Sequence, residues 1–207
     1  MARSGRRGTL NRDRILAETL AMVDEVGVEG LSMRGLGARL GVEAMSLYNH
    51  VPNKAALLDG LVELLVLQVD VASRPDEAWP DTLRRIALEY RRLASAHARV
   101  FVLLATRPLS TAASVAHVAP LYEALGDSGY SIPERMLMLN TFFTFLNGYL
   151  LAEVGTVPGH ADVPEPRNES ALVSEMGAIP VESLLLGPNF GRAVEILIAG
   201  LQTVPRG

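Results

Sequence analysis

The side chains best suited to chemistry in this 207-residue chain lie in one stretch, residues 32–54, SMRGLGARLGVEAMSLYNHVPNK. Here Ala44, Met45, Ser46, Tyr48, Asn49 and His50 form a polar and aromatic set with no acidic member, able both to donate and to accept hydrogen bonds. Such a set can read the hydrogen-bonding edges of another molecule. Catalytic patterns are missing elsewhere: there is no Gly-rich phosphate loop and no HExxH, and the four histidines, at 50, 97, 117 and 160, are scattered. With no cysteine there is neither a disulfide framework nor a thiolate metal site. No cofactor or metal is expected. An enzyme stays in play only because a triad need not follow sequence order.

The elements that position this set are short helices. Ser32 can cap a first one, on which Leu36 and Leu40 share a face at i and i+4. Gly41 is suited to the left-handed conformation that closes a helix. A second helix, over residues 43–51, points Leu47 back at the first. Two short helices joined through a Gly-containing turn make a helix-turn-helix, and the second carries the DNA-reading side chains of such a unit. Leu36, Leu40, Val42 and Leu47 are core. Gly35 and Gly37 are unusual in a helix, each costing about 1 kcal/mol relative to Ala; Gly37 permits close helix contact.

Helical periodicity covers the rest of the chain, and no stretch alternates as a strand. Asn11 caps an opening helix, with Leu10 and Ile15 placed as a hydrophobic staple and Gly27 ending it. Asn53 caps a fourth helix expected to reach about residue 72. Further helices are predicted at 80–96, 100–105, 112–126, 133–154 and 190–201, with a Pro- and Gly-rich loop over 155–170. Residues 136–152 carry no charge and nearly suffice to span a bilayer, yet Asn140, Thr141, Thr144, Asn147 and Gly148 interrupt them. Lipid offers those amides no partners, so a helix buried in protein or at a subunit interface is the better reading. The Arg-rich start is no secretory signal, and a cytoplasmic protein without membrane association is expected.

Charge is divided between the two ends. The formal total is −4, but residues 1–54 carry eight basic and six acidic side chains, leaving −6 on residues 55–207. Arg3, Arg6 and Arg7 open the basic end as an arm. A basic DNA-reading head on an acidic body fits this asymmetry; taken alone, a short Arg-rich terminus is more simply a solubilising tail.

The run LxxxLGVExxSLYNHVPNKxxLLDGL resembles the tetracycline-repressor family of bacterial regulators, as does LNRDRILAETLAMVDEVGVEGLSMRGL at residues 10–36. FGRAVEILIAGL, residues 190–201, resembles the end of that family's ligand-binding domain. The resemblance implies an all-α fold: an N-terminal three-helix DNA-binding domain with a helix-turn-helix over 1–54, then a helical ligand-binding and dimerisation domain over 55–207. It implies a homodimer on double-stranded DNA, formed by a four-helix bundle of 133–154 and 187–203 from each subunit, repressing until a small-molecule effector releases it. The alternative is a helical enzyme or carrier with an incidental hairpin.

By the same resemblance Arg34 reaches a base edge, where its fork suits guanine O6 and N7; without the motif it would be a solvated surface side chain. Ser46, Asn49 and His50 are further readers, and Met45 meets a thymine methyl while Ala44 leaves room. Tyr48 and Lys54, the chain's one lysine, hold phosphates. Ser32 belongs to the same surface. In the second domain Asn140, Thr144 and Asn147 form a polar stripe at i, i+4 and i+7, whose partners are a ligand, the other subunit or neighbouring helices. The pocket is expected between the fourth helix and the helices at 80–105 and 133–154, lined by Leu61, Leu65, Phe101, Asn140, Phe143, Thr144 and Asn147, with the 155–170 loop as entrance. His97 is either a ligand contact or a capping residue. Although His97, His117 and Glu153 could surround a drug-bound magnesium, nothing in their spacing singles them out, and tetracycline is not predicted.

Overall fold

The computed structural model describes residues 9–126, 129–155 and 186–206, all helix, turn or irregular chain. The first helix, α1 (Arg12–Val26), starts where the Asn11 side chain accepts the Arg14 amide at 2.8 Å. It buries Ile15, Leu16, Met22 and Val23 and ends at Gly27, whose φ of 77° is open to glycine. Helix α2 (Met33–Leu40) starts on the Ser32 hydroxyl, which accepts the Gly35 amide at 3.1 Å, and closes on left-handed Gly41. Val42 N–H then donates to the Gly37 carbonyl at 2.9 Å. A Cβ on Gly37 would stand 2.9 Å from the Val42 oxygen and 3.2 Å from the Ala44 nitrogen, so the turn tolerates no side chain there.

Helix α3 (Ala44–Leu47) is shorter than its predicted span. Beyond Leu47 the chain runs in turns, closed by His50 and Val51 amides that both donate to the Leu47 carbonyl at 2.9 Å. Pro52 bars helix from running on through Val51, because the residue before proline is pushed out of helical conformation. Buried Val51 and Leu47 pin the turn to the core.

Helix α4 (Lys54–Val66) begins where Asn53 accepts the Ala56 amide at 2.8 Å. A Cβ on Gly60 would meet Leu16 Cδ2 at 2.6 Å, so the Leu16 side chain of α1 packs directly on the bare backbone of α4 at Gly60. The predicted continuation to residue 72 does not form. Instead Arg85 donates to the Asp70 carbonyl at 2.6 Å and the Ala72 carbonyl at 2.7 Å, and Glu89 accepts the Asp70 amide at 2.8 Å. Glu89 thus takes an amide that a helix would have paired, while Arg85 holds carbonyls that the end of a helix would have left open. Val69 and Val71, two residues apart, are both buried, which extended chain achieves and helix does not.

The body consists of α5 (Trp79–Ala96), α6 (Ala98–Thr106), α7 (Ala112–Ala124), α8 (Ile132–Val154) and α9 (Leu186–Leu201). His97 is the joint between α5 and α6. A capping box opens α8: Ser131 side chain takes the amide three positions on, and the Glu134 carboxylate accepts the Ser131 amide at 2.6 Å. Helix α6 is the keystone, packing on α1, α4, α5 and α8. Its Phe101 meets Tyr90 edge-on at 5.4 Å between ring centres, and Tyr90 meets Phe143 at 5.8 Å. By length and composition α8 could cross a membrane. In the fold, however, Met138, Leu139, Phe142, Leu146 and Leu150 form a buried face against α5, α6, α7 and α9.

Candidate nucleic-acid surface and effector cavity

On the head, Met45 is 72% exposed and Tyr48 41% exposed, with Asn49 and His50 exposed beside them and Ala44 and Ser46 half-buried. Leu47 alone of α3 turns fully inward. Arg34 is exposed on α2 and makes no ion pair among the described residues. Arg39, on the same helix, is committed elsewhere: it reaches Glu18 at 2.6 Å and grips Glu25 through two bonds at 2.6 and 3.0 Å. Those bonds hold the Glu25 carboxyl below its usual range. The α2–α3 surface therefore presents a cation at Arg34 and none at Arg39. Lys54 is exposed at the start of α4, and its ammonium donates to the Leu31 carbonyl at 2.8 Å, a tie that sequence reading missed. Two more ammonium protons remain for an outside anion. The Ser32 hydroxyl is exposed but occupied as a helix cap. Arg3, Arg6 and Arg7 lie outside the described residues.

Hydrogen bonds as well as packing join the first helices to one another and to the body. His97 Nδ1 lies 2.8 Å from Asp24 Oδ2, Arg99 donates to the Glu25 carbonyl, and Arg12 meets Glu63 at 2.8 Å. At the far end of α6, Arg107 donates twice to one Asp59 oxygen, at 3.1 and 2.6 Å. Both ends of α6 are thus tied to the head side, one to α1 and the other to α4.

The body carries a partly open cavity of about 470 Å³ between the end of α4 and the chain after it, α5, the end of α6, α7 and α8. Its wall is largely apolar, with Val69, Leu104, Val118, Leu121 and Leu139. Of the predicted lining, Asn140, Phe143 and Asn147 are in place. Leu61, Leu65 and Phe101 are not: they are fully buried in the packing of α4 and α6 and do not reach the cavity. Thr144 is exposed and also misses it. At about 100° per residue, Thr144 lies about 40° to one side of Asn140 and Asn147 about 20° to the other, so the wall takes one edge of the stripe. His97 faces a separate shallow groove with Glu89 and Arg92 and is engaged with Asp24. Sequence reading missed Tyr90, Tyr122 and Arg107. Tyr90 looked like one more apolar position of α5, and Arg107 like the end of a helix before Pro108. The entrance expected over 155–170 falls outside the described residues from 156 onward.

An amino-terminal helix-turn-helix on a larger helical body carrying a cavity defines a class of two-part regulatory protein. Residues 15–61 match the model of bacterial regulatory proteins of the tetR family, and residues 72–204 that of the tetracyclin repressor-like C-terminal domain. The chain belongs to the tetracycline-repressor family. It is similar to the tetracycline repressor protein class C of Escherichia coli, 30% identical over 93% of this chain and 91% of that one. Among solved structures it is similar to the Streptomyces coelicolor TetR family protein ActR in complex with actinorhodin. The TM-score there is 0.77 at 25% identity, over 94% of this chain and 98% of that one. TetR from Acinetobacter baumannii AYE gives 0.73 at 25% identity, over 94% and 97%.

Proposed function

We propose that this chain is a cytoplasmic, homodimeric transcriptional repressor that holds a palindromic operator through residues 1–54 and lets go when a small apolar effector enters its 55–207 body. The observation that carries the DNA half is the exposed polar and aromatic surface of α3 and the turn after it, with Arg34 exposed on α2 and Lys54 exposed at the start of α4. Arg34, Ser46, Asn49 and His50 read base edges; Met45 packs on a thymine methyl, with Ala44 as clearance; Tyr48, Lys54 and the Arg3, Arg6 and Arg7 arm hold phosphates, and Ser32 keeps α2 in register. The cavity supports the effector half, and the actinorhodin complex of ActR gives a relative with a bound small molecule.

The dimer reading rests on the outer faces of α8 and α9. Ile132, Met136, Leu137 and Ile196 are exposed there, and a Cβ on Gly148, Gly191 or Gly200 would meet nothing within 4 Å. Exposed apolar surface of this kind with bare glycines suits close approach of a second copy. The test is selection of binding sites from a randomised duplex pool with the full chain. The expected outcome is an inverted repeat with half-sites about one helical turn, or a multiple of it, apart. A pool that shows no enriched sequence, or one lone half-site bound by a monomer, would refute the reading.

A further inference from the structure

Resting on the reading of the cavity as an effector site, we propose that Asn147, oriented by Tyr90, recognises a hydrogen-bond acceptor on the effector. The ligand class is then a largely apolar molecule carrying a carbonyl or similar oxygen, and cationic ligands are refused.

Tyr90 is buried, and its hydroxyl donates to Asn147 Oδ1 at 2.7 Å. A phenol has a single proton, and among the described residues Asn147 is the acceptor that takes it. Were the carboxamide turned the other way, the phenol would lose this acceptor and its proton would have only the cavity to face, so the hydrogen bond favours the orientation seen. The amide is therefore fixed with its oxygen toward Tyr90. Its Nδ2 keeps two protons, and Asn147 lines the cavity. Burial pushes the Tyr90 phenol well above the usual tyrosine range, so the donor does not ionise at physiological pH and the orientation persists. Asn140, two helical turns earlier on α8, lines the same wall. Among the described lining residues none is a carboxylate, and the one charged residue, Arg107, is already paired with Asp59, so a cation entering the cavity finds no counter-ion. The remaining wall, with Leu104, Val118, Leu121, Leu139 and Phe143, takes a flat apolar body.

Three probes that share one ring system separate these requirements: 9,10-anthraquinone offers acceptors, anthracene offers nothing polar, and 9-(aminomethyl)anthracene is cationic at neutral pH. Each is titrated onto the full chain by equilibrium dialysis, with thermal melts to confirm that every variant is folded. The quinone should bind about tenfold more tightly than anthracene, the value of one good neutral hydrogen bond, and the ammonium more weakly than either. Asn147→Leu should remove the quinone's advantage while anthracene binds as before. Asn147→Asp should favour the ammonium over the quinone, and Tyr90→Phe should shrink the quinone's advantage by freeing the amide to turn. An advantage that survives Asn147→Leu overturns the inference. Val118→Trp, which fills the cavity, separates it from the parent reading. If Val118→Trp abolishes all binding while Asn147→Leu keeps the preference, only the inference falls. If no probe binds the wild type, or Val118→Trp changes nothing, the effector site itself falls and the inference with it.

Discussion

Arg34 and Lys54 are both exposed cations at the edge of the same head, yet their surroundings differ. Arg34 has a free planar fork, able to meet guanine in two bonds. Lys54 is anchored through the Leu31 carbonyl, which holds its charge in place as a point for phosphate. Arg34→Ala should relax preference at one base position by about 1–3 kcal/mol, measured as relative affinities across a randomised site. Lys54→Met should weaken all sequences alike and reduce the salt slope by about one. An Arg34→Ala protein with unchanged base preference would remove Arg34 from the readers. The family resemblance, rather than side-chain type or spacing, singled these two positions out in the sequence, and the structure leaves both exposed. The Leu31 tie to Lys54 was not legible, since it joins groups 23 positions apart.

Among the elements, the ends of helices show what local pattern could and could not supply. Asn11, Ser32, Asn53 and Gly41 are caps that announce themselves, and each forms as its residue type dictates. The end of α4 was hidden because the apolar run continues past Val66. Beyond it the next helix holds the chain extended: Glu89 takes the Asp70 amide, and Arg85 bonds the Asp70 and Ala72 carbonyls and Glu77, the last at 2.9 Å. The cavity wall was half-read for the same reason. Periodicity correctly set Asn140 and Asn147 on one face of α8, but could not tell that Leu61 and Leu65 would be consumed in packing α4 on its neighbours. Arg85→Met should cost about 1.5–3 kcal/mol of stability for its charged hydrogen bonds, read from the urea midpoint.

This substitution also has a pH signature. Hydrogen bonding to Arg85 holds the folded Glu77 carboxyl below its ordinary 4.5. A carboxyl depressed on folding stabilises fully above the unfolded value, and that stabilisation is lost as pH falls through the folded one. The wild type should therefore lose stability below about pH 4.5, and Arg85→Met should lose less over the same interval. Equal acid sensitivity of the two proteins would show that Arg85 does not hold this connection.

For the molecule as a whole, the outer surface of α8 and α9 and the placement of α6 are the features with consequences. Gly148→Arg puts a long cation where the proposed partner approaches, at a position with open space in the single chain. A dimer whose subunits depend on one another should then aggregate or unfold, seen by light scattering and melting. A well-folded monomer would contradict the interface. Helix α6 lies against the cavity through Leu104 and Arg107, and at its other end Arg99 holds the Glu25 carbonyl of α1. A ligand that shifts α6 must therefore act on α1 and α4 together, and the affinities of ligand and operator are then linked by one reciprocal factor. The most direct measurement is titration of a cavity ligand, identified by thermal shift, onto the full chain with and without saturating operator duplex. Ligand-switched repression predicts that operator weakens ligand binding by about 5- to 150-fold, with ligand weakening operator binding by the same factor. A ligand dissociation constant unchanged by operator would contradict it.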